Sequence, residues 1–399
     1  MHCDIAIVGG GLVGASLAVA LAGTSRRVLL IEAAQPPATA PAWDERCIAL
    51  NDASRRIFEA LGIWRELEAA AEPIRATHIS ERGRFGAARF TAADAGLDAL
   101  GYNVPLRALG AALWQRLRAS NVELLCPARV TAVTAQPDWV ALQIAGADAS
   151  TTCTIHAQLL AAADGAQSAV RAQLGIGAQT RDYAQHAVVS AVRLSRAHGG
   201  VAYERFTSDG PLALIPKPGS AASLVWTLPT AQVEAALAAS DDDYLQRAQA
   251  AFGGRLGNFV ELGRRFSYPL SRVVAESSAA PRVALLGNAA QSLHPIAAQG
   301  FNLGLRDVAA LAGLLDDGGD PGAAALLAEF SAARASDRKR VSGFTDLLVR
   351  TFSNRVPGLM QARHWGLVAV DLLPGLRESV LRQHLGHLGL PPARLGSRP

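Results

Sequence analysis

The chain has 399 residues, of which 50% are hydrophobic and 18% charged, with a formal net charge of +4. That length exceeds one ordinary core and predicts two domains, and the composition excludes a disordered chain. Arginines are scattered rather than clustered, which argues against nucleic acid as a partner; anionic cofactor phosphates or an anionic membrane surface suffice to explain the mild basicity.

From the N-terminus, "CDIAIVGGGLVGASLAVALAGTSRRVLLIEA" predicts strand, glycine turn, helix (residues 12–22) and strand (residues 28–31), ending at Glu32. Ile5, Ile7 and Val8 form a continuous apolar run, as in a strand buried on both faces. A helix is expected over residues 54–71 with Pro73 as its stop, a turn near residues 101–105, and a helix over 106–119. Short strands follow at 122–125, 130–135, 140–144 and 158–163. Between about 180 and 275 the runs alternate, which predicts an antiparallel sheet. "SDDDYLQRAQAAFG" predicts a helix with acids in its first turn, complementing the macrodipole. A buried strand over 283–286 then meets a second glycine turn, and the chain is expected to be helical after Gly300, broken at Pro357 and Pro374.

The four cysteines, Cys3, Cys47, Cys126 and Cys153, are far apart with no C-x-x-C, which favours a reducing cytosol over a metal site or disulfide framework. His384 and His387 lack companion ligands at credible spacing, so no metal is expected. The N-terminus does not read as a signal peptide, and no stretch reaches the roughly 18 uncharged apolar residues of a spanning helix. The expected location is cytoplasmic, with any membrane contact made at the surface.

Gly9, Gly11 and Gly14 form G-x-G-x-x-G between a strand and a helix. The first permits a tight turn, the second lets backbone approach a pyrophosphate, and the third allows close helix–strand packing, while the helix N-terminus attracts phosphate. Glu32 is placed to accept ribose hydroxyls. This pattern predicts dinucleotide binding but does not separate FAD from NAD. In "LLAAADGAQSAVR" a buried strand ends at Asp164-Gly165, which is either a plain strand exit or part of the same site. "GNAAQSLHPIAAQGFNLGLRD", from Gly287 to Asp307, is a glycine-edged loop running into a helix whose N-terminal dipole suits an anionic group. In "WDERCIALN", Arg46 either pairs with Asp44 or Glu45 or lines a flavin edge.

In this order the four stretches resemble the class A flavoprotein aromatic hydroxylases of the para-hydroxybenzoate hydroxylase fold, and within them the ubiquinone-biosynthesis hydroxylases. The resemblance implies an α/β chain with a Rossmann-type FAD domain, an inserted antiparallel-sheet substrate domain and a helical C-terminus. The FAD domain would comprise 1–72, 105–180 and 276–340, the substrate domain 73–104 and 181–275, and the helical region 341–399. It also implies FAD held by Gly9, Gly11, Gly14, Glu32, Arg46, Asp164, Gly287, Asn288, Gly300 and Asn302. No second G-x-G-x-x-G is visible, so NAD(P)H would visit transiently. His294 and Pro295 would lie in a loop facing the flavin, His294 as a possible base for a phenol or merely a loop histidine. Tyr203, Phe206 and Trp226 would line an aromatic pocket or belong to the sheet's core. The implied reaction uses NAD(P)H and O2 to hydroxylate a polyprenylated phenol, 2-polyprenyl-6-methoxyphenol, to its 1,4-benzoquinol.

Two rival readings share the motifs. One is a different FAD enzyme on this fold, weakened for a halogenase by the lack of Trp-x-Trp-x-Ile-Pro. The other is a non-catalytic scaffold of a quinone-synthesis assembly, for which Asn288, where such loops normally carry aspartate, would mark lost FAD. The C-terminal residues 344–390 alternate apolar faces with arginines and are expected to dock a membrane surface, bind other quinone-biosynthesis proteins, or simply close the fold.

Overall fold

The apolar run at the N-terminus becomes the central strand of a sheet in the computed structural model, which describes residues 1–35, 46–146, 152–315, 318–352 and 359–388. Strand His2–Val8 pairs in parallel with Val28–Ile31 on one side and Thr152–Ala162 on the other, Ile5 facing Val28 and Leu159. Val283–Leu285 adds in parallel beyond Thr152–Ala162, and Glu123–Leu125 beyond Val28–Ile31. Ile5 and Ile7 belong to the core on one face and Ala6 and Val8 to the core on the other, which is why the strand shows no polar alternation. Helices Leu12–Leu21, Leu106–Arg118 and Gln299–Leu315 cover the first of these faces.

The second large sheet is mainly antiparallel. Its spatial order is Gln291–Ser292, Phe266–Ala275, Ala178–Leu194, Ala221–Pro229, Pro211–Pro216, Val201–Phe206, Ala76–Glu81 and Ala87–Thr91, with Phe259–Leu262 also on Ala178–Leu194. Val201–Phe206 runs parallel to Ala76–Glu81 and antiparallel to Pro211–Pro216. Helices Thr230–Ala238 and Asp241–Phe252 pack on one face. The acid-rich start of the second is capped by Ser240, whose hydroxyl accepts from Asp243 N–H at 3.1 Å.

Two local expectations differ from the structure. The helix expected over 54–71 is Asp52–Ala60 followed by the short turn Trp64–Leu67, because Gly62 takes a left-handed φ of +71° between them. Gly101–Pro105 is a strand rather than a turn, pairing with Cys47–Asn51 and Glu72–Ile74 in a third sheet. Pro73 therefore sits in an edge strand, where a missing N–H costs no ladder bond. Helices Gln299–Leu315, Ala324–Phe352, Leu359–Leu372 and Pro374–Leu385 complete the described chain; Pro357 lies outside it. Among the described residues no helix is long and apolar enough to cross a membrane.

Candidate active site

Three chain segments that are distant in sequence meet at the C-terminal ends of the parallel strands. Gly9 has φ +102°, and a Cβ on it would lie 2.5 Å from the Ala163 carbonyl oxygen. A Cβ on Gly14 would lie 1.9 Å from the Gly9 oxygen, so helix and turn pack backbone to backbone. Gly11 instead faces open space at the start of helix Leu12–Leu21, and no side chain caps that helix. Its first amides are thus available to an external acceptor, which is what a pyrophosphate requires. The Glu32 carboxylate accepts from Gly10 N–H at 2.5 Å and Ala34 N–H at 2.8 Å, fixing it beside the same turn.

The Asp164 stretch adjoins this turn, since Ala163 N–H donates to Val8 at 2.8 Å. Asp164 Oδ2 accepts from Val170 N–H at 3.1 Å, and its Oδ1 is buried without a hydrogen-bond partner among the described residues. Arg171 ties the segment to the third one: its Nη1 donates to the Ala289 carbonyl at 2.8 Å and its Nη2 to Ala166 at 3.0 Å. Gly287 has φ +55° and a Cβ there would press on Val13 at 2.9 Å.

What holds the Gly287 loop is an acid to which the sequence reading assigned no role. Asp307 Oδ2 accepts from Gly287 N–H at 3.0 Å and from Gln291 Nε2 at 2.9 Å. Its Oδ1 pairs with Arg334 at 2.7 Å and Arg338 at 3.2 Å, while Arg334 also pairs with Asp337 at 2.8 Å and Arg306 with Asp337 at 2.9 Å. Burial alone would raise the Asp307 carboxyl, but Arg338 and Arg334 beside it hold it below the usual carboxylate range. Asn302 is likewise a pin. Its Oδ1 accepts from Asn51 N–H at 3.0 Å and its Nδ2 donates to Ala49 at 2.9 Å, fastening helix Gln299–Leu315 to strand Cys47–Asn51. Asn288 is exposed and Gly300 has open space where a Cβ would be.

Arg46 contacts the second sheet. Its guanidinium hydrogen-bonds the Tyr268 hydroxyl and stacks over the Phe266 ring at 5.4 Å. Asp44 and Glu45, its alternative partners, lie outside the described residues.

Beside these segments is a cavity of about 690 Å³, bounded by strand Cys47–Asn51, the second sheet, the segment from 288 to the start of helix Gln299–Leu315, and the C-terminal helices. Phe206 is in its wall, with Val225 and Thr227. Trp226 is not: strand alternation turns it to the opposite face, where it packs edge-on against Tyr244 at 5.6 Å. Tyr203 touches the cavity, but its ring packs against Phe252 at 5.5 Å and His78 at 5.6 Å on that opposite face. The wall residue that sequence patterning missed is Glu204, between them on the cavity side.

His294 and Pro295 also line the cavity. His294 is 1% exposed, and its Nδ1 accepts from Ile296 N–H at 3.2 Å. Nε2 therefore carries the ring proton and is a donor, with no partner among the described residues. Burial pushes the imidazole down to about 4, so it is neutral at physiological pH. With Nδ1 engaged and Nε2 protonated, His294 is arranged to donate a hydrogen bond and not to accept a proton.

Comparison with known proteins agrees with this cradle. A family model for an FAD binding domain matches residues 2–344. Ubiquinone hydroxylase UbiL of Rhodospirillum rubrum is 39% identical over 395 residues, covering 98% of this chain and 91% of the relative. 3-Demethoxyubiquinol 3-hydroxylase of Escherichia coli is 34% identical over 391 residues, covering 96% and 98%. Among solved structures, p-nitrophenol 4-monooxygenase PnpA of Pseudomonas putida superposes with a TM-score of 0.78 at 18% identity, over 96% of this chain and 98% of that one. PqsL of Pseudomonas aeruginosa does so at 0.74 and 24%, over 92% and 100%. The fold is that of para-hydroxybenzoate hydroxylase-like monooxygenases, FAD is the cofactor, and NAD(P)H is the reductant typical of the family. The open Gly11 turn, the fixed Glu32 carboxylate and the buttressed Gly287 loop fit that cofactor, and the chain belongs to the FAD-dependent ubiquinone-biosynthesis hydroxylases.

Proposed function

We propose that the protein hydroxylates the ring of a polyprenylated phenol, converting 2-polyprenyl-6-methoxyphenol to 2-polyprenyl-6-methoxy-1,4-benzoquinol. The observation that carries this reading is the cavity. Its largely apolar wall runs from the segment 288–302 to Leu347, Leu367, Val370 and Leu376 of the C-terminal helices, room for a ring at one end and a prenyl tail beyond. Bound FAD, reduced by NAD(P)H, supplies the oxygen-transfer chemistry with O2; the chain binds, orients and excludes water.

In this reading Gly9, Gly11 and Gly14 receive the pyrophosphate and Glu32 the adenosine ribose. Asp164, Gly287, Asn288 and Gly300 border the rest of the cofactor, with Arg46 and Asn302 shaping its surroundings. His294 and Pro295 form the loop at the reacting end, and Phe206 lines the ring pocket. In this reading the FAD part is made of 1–72, 105–180 and 276–340, the substrate part of 73–104 and 181–275, and a helical region runs from 341 onward. Most strands of the first and second sheets divide this way, while Gln291–Ser292 lies in the second sheet and the third sheet joins Cys47–Asn51 to Gly101–Pro105 across the division.

The membrane is the proposed source of substrate. Leu347 (61% exposed) and Leu376 (42%) are at once exposed and part of the cavity wall, and Trp365, Leu372 and Leu373 of the same C-terminal region are exposed as well. Exposed apolar side chains of this kind suit the inner face of the cytoplasmic membrane better than water. Other quinone-biosynthesis proteins could meet the same surface; vesicle flotation of the purified protein alone separates the two.

The deciding experiment is quinone analysis of a deletion strain. Accumulation of 2-polyprenyl-6-methoxyphenol supports the proposed step. Accumulation of a demethoxyubiquinol would move the activity to the ring position named for the Escherichia coli relative.

A further inference from the structure

Glu204 is the only carboxylate among the described residues that line the cavity, and no lysine or arginine lines it with them. It lies mid-strand in Val201–Phe206, directly opposite Ala213 on one neighbouring strand and Ile79 on the other. Ala202 and Phe206 flank it along its own strand on the same side. The four nearest cavity-side positions are therefore apolar. The charged groups of this region, Arg205, Arg255 and Arg89, act on His78 and Tyr203, whose rings pack together on the opposite face, and none of them acts on Glu204. The other titratable groups of the wall are Cys47, Tyr203, His294 and His384. Among the described residues, Glu204 has neither a hydrogen-bond nor an ion-pair partner.

Glu204 is partly accessible from the cavity, so its carboxyl loses water when an apolar ligand fills the space, which is costly unless that ligand supplies a hydrogen bond in return. The geometry points to Glu204 as the residue that accepts the hydrogen bond of the substrate's phenolic O–H and takes its proton as the ring is hydroxylated. The O–H bond breaks, the proton passes to a Glu204 carboxylate oxygen, and the bonding pair stays on the phenolic oxygen, which makes the ring electron-rich for attack. The step needs no oxidant of its own. It assigns to Glu204 the role that His294 cannot fill, because the His294 nitrogens are already committed as one acceptor and one donor. Burial pushes the Glu204 carboxyl up to about 7, which suits a group that gains and loses a proton at working pH.

This inference rests on the phenol reading above, and its test separates the two. Two probes are compared on the FAD-loaded full chain: 2-farnesyl-6-methoxyphenol and the same molecule with its phenolic hydrogen replaced by methyl. Equilibrium binding is followed from pH 6 to 8.5 for the natural protein, Glu204→Gln and Glu204→Asp. The natural protein should prefer the phenol over the ether by at least about tenfold, the preference growing with pH through 7 as the carboxylate forms. Glu204→Gln, which keeps only a neutral acceptor, should lose most of the preference and all of its pH dependence while keeping its flavin, and Glu204→Asp should keep part of the preference and all of the pH dependence. Turnover by Glu204→Gln should fall on the order of a hundredfold and lose the acid limb of its pH profile. If Glu204→Gln retains the full phenol preference and the acid limb, the assignment is overturned and the substrate reading survives. If the natural protein binds neither probe, both are overturned.

Discussion

Asp307→Asn tests whether the flavin loop is held from behind. The carboxylate receives four donors, Gly287 N–H, Gln291 Nε2, Arg334 and Arg338, and is itself 0% exposed. Asparagine keeps one carbonyl oxygen but points an NH2 group at donors, and leaves two guanidinium groups short of a counter-charge. Breaking a buried pair in this way costs about 3–5 kcal/mol. Unfolding entropy near 2.1 cal/mol/K per residue gives roughly 0.8 kcal/mol/K for a chain of this length, so Tm should fall by roughly 5 °C. Because one amide oxygen cannot serve both the loop donors on Oδ2 and the arginines on Oδ1, the Gly287 loop should loosen, and flavin content per protein, read from visible absorbance, should fall as well. A variant within about 1 °C of the natural Tm with full flavin content would refute the idea that Asp307 buttresses the loop.

Gly14→Ala should yield colourless protein that FAD does not reconstitute, since the added Cβ would lie 1.9 Å from the Gly9 oxygen and must push the helix off the turn. Asn288→Asp should retain FAD and activity, because Asn288 is exposed and a carboxylate there still offers acceptors to a cofactor hydroxyl; its flavin dissociation constant should tighten by no more than about tenfold. His294 gives a pH signature. In the unfolded chain it takes a proton below its ordinary 6.5 but in the folded chain only near 4, so acid favours unfolding across that window. Stability should drop by about 3 kcal/mol between pH 6.5 and 4 through this residue, and His294→Gln should remove that part of the decline in denaturant titrations.

The parts of the fold and site that were legible in the sequence are those written in local backbone chemistry. The G-x-G-x-x-G turn, the doubly buried strand before it and the Glu32 that ends the next strand each follow from neighbours in sequence. Residues whose roles depend on distant partners were not legible. "GYNVP" looks like a turn because glycine and proline bracket it, yet it is a strand because Cys47–Asn51 and Glu72–Ile74 lie on either side. Alternation along "SLVWTLP" announces a two-faced strand but not which face is the cavity, so Trp226 and Val225 could not be told apart. Asp307 stood in view in the motif, but its partners Arg334 and Arg338 come from a helix whose docking no local pattern specifies. Glu204 was passed over because one acid in an alternating strand ordinarily faces water. Here the opposite sheet face is covered by helices and the acid's own face by the cavity.

The central claim is that this chain transfers oxygen from O2 to a phenol ring. Its most direct test is turnover of 2-farnesyl-6-methoxyphenol by the purified FAD-loaded protein with NAD(P)H under ¹⁸O2, with mass analysis of the product. One ¹⁸O atom in the new ring hydroxyl, with consumption of NAD(P)H, is the expected result. NAD(P)H oxidation that leaves the phenol unchanged, or a hydroxyl carrying oxygen from water, would contradict the account.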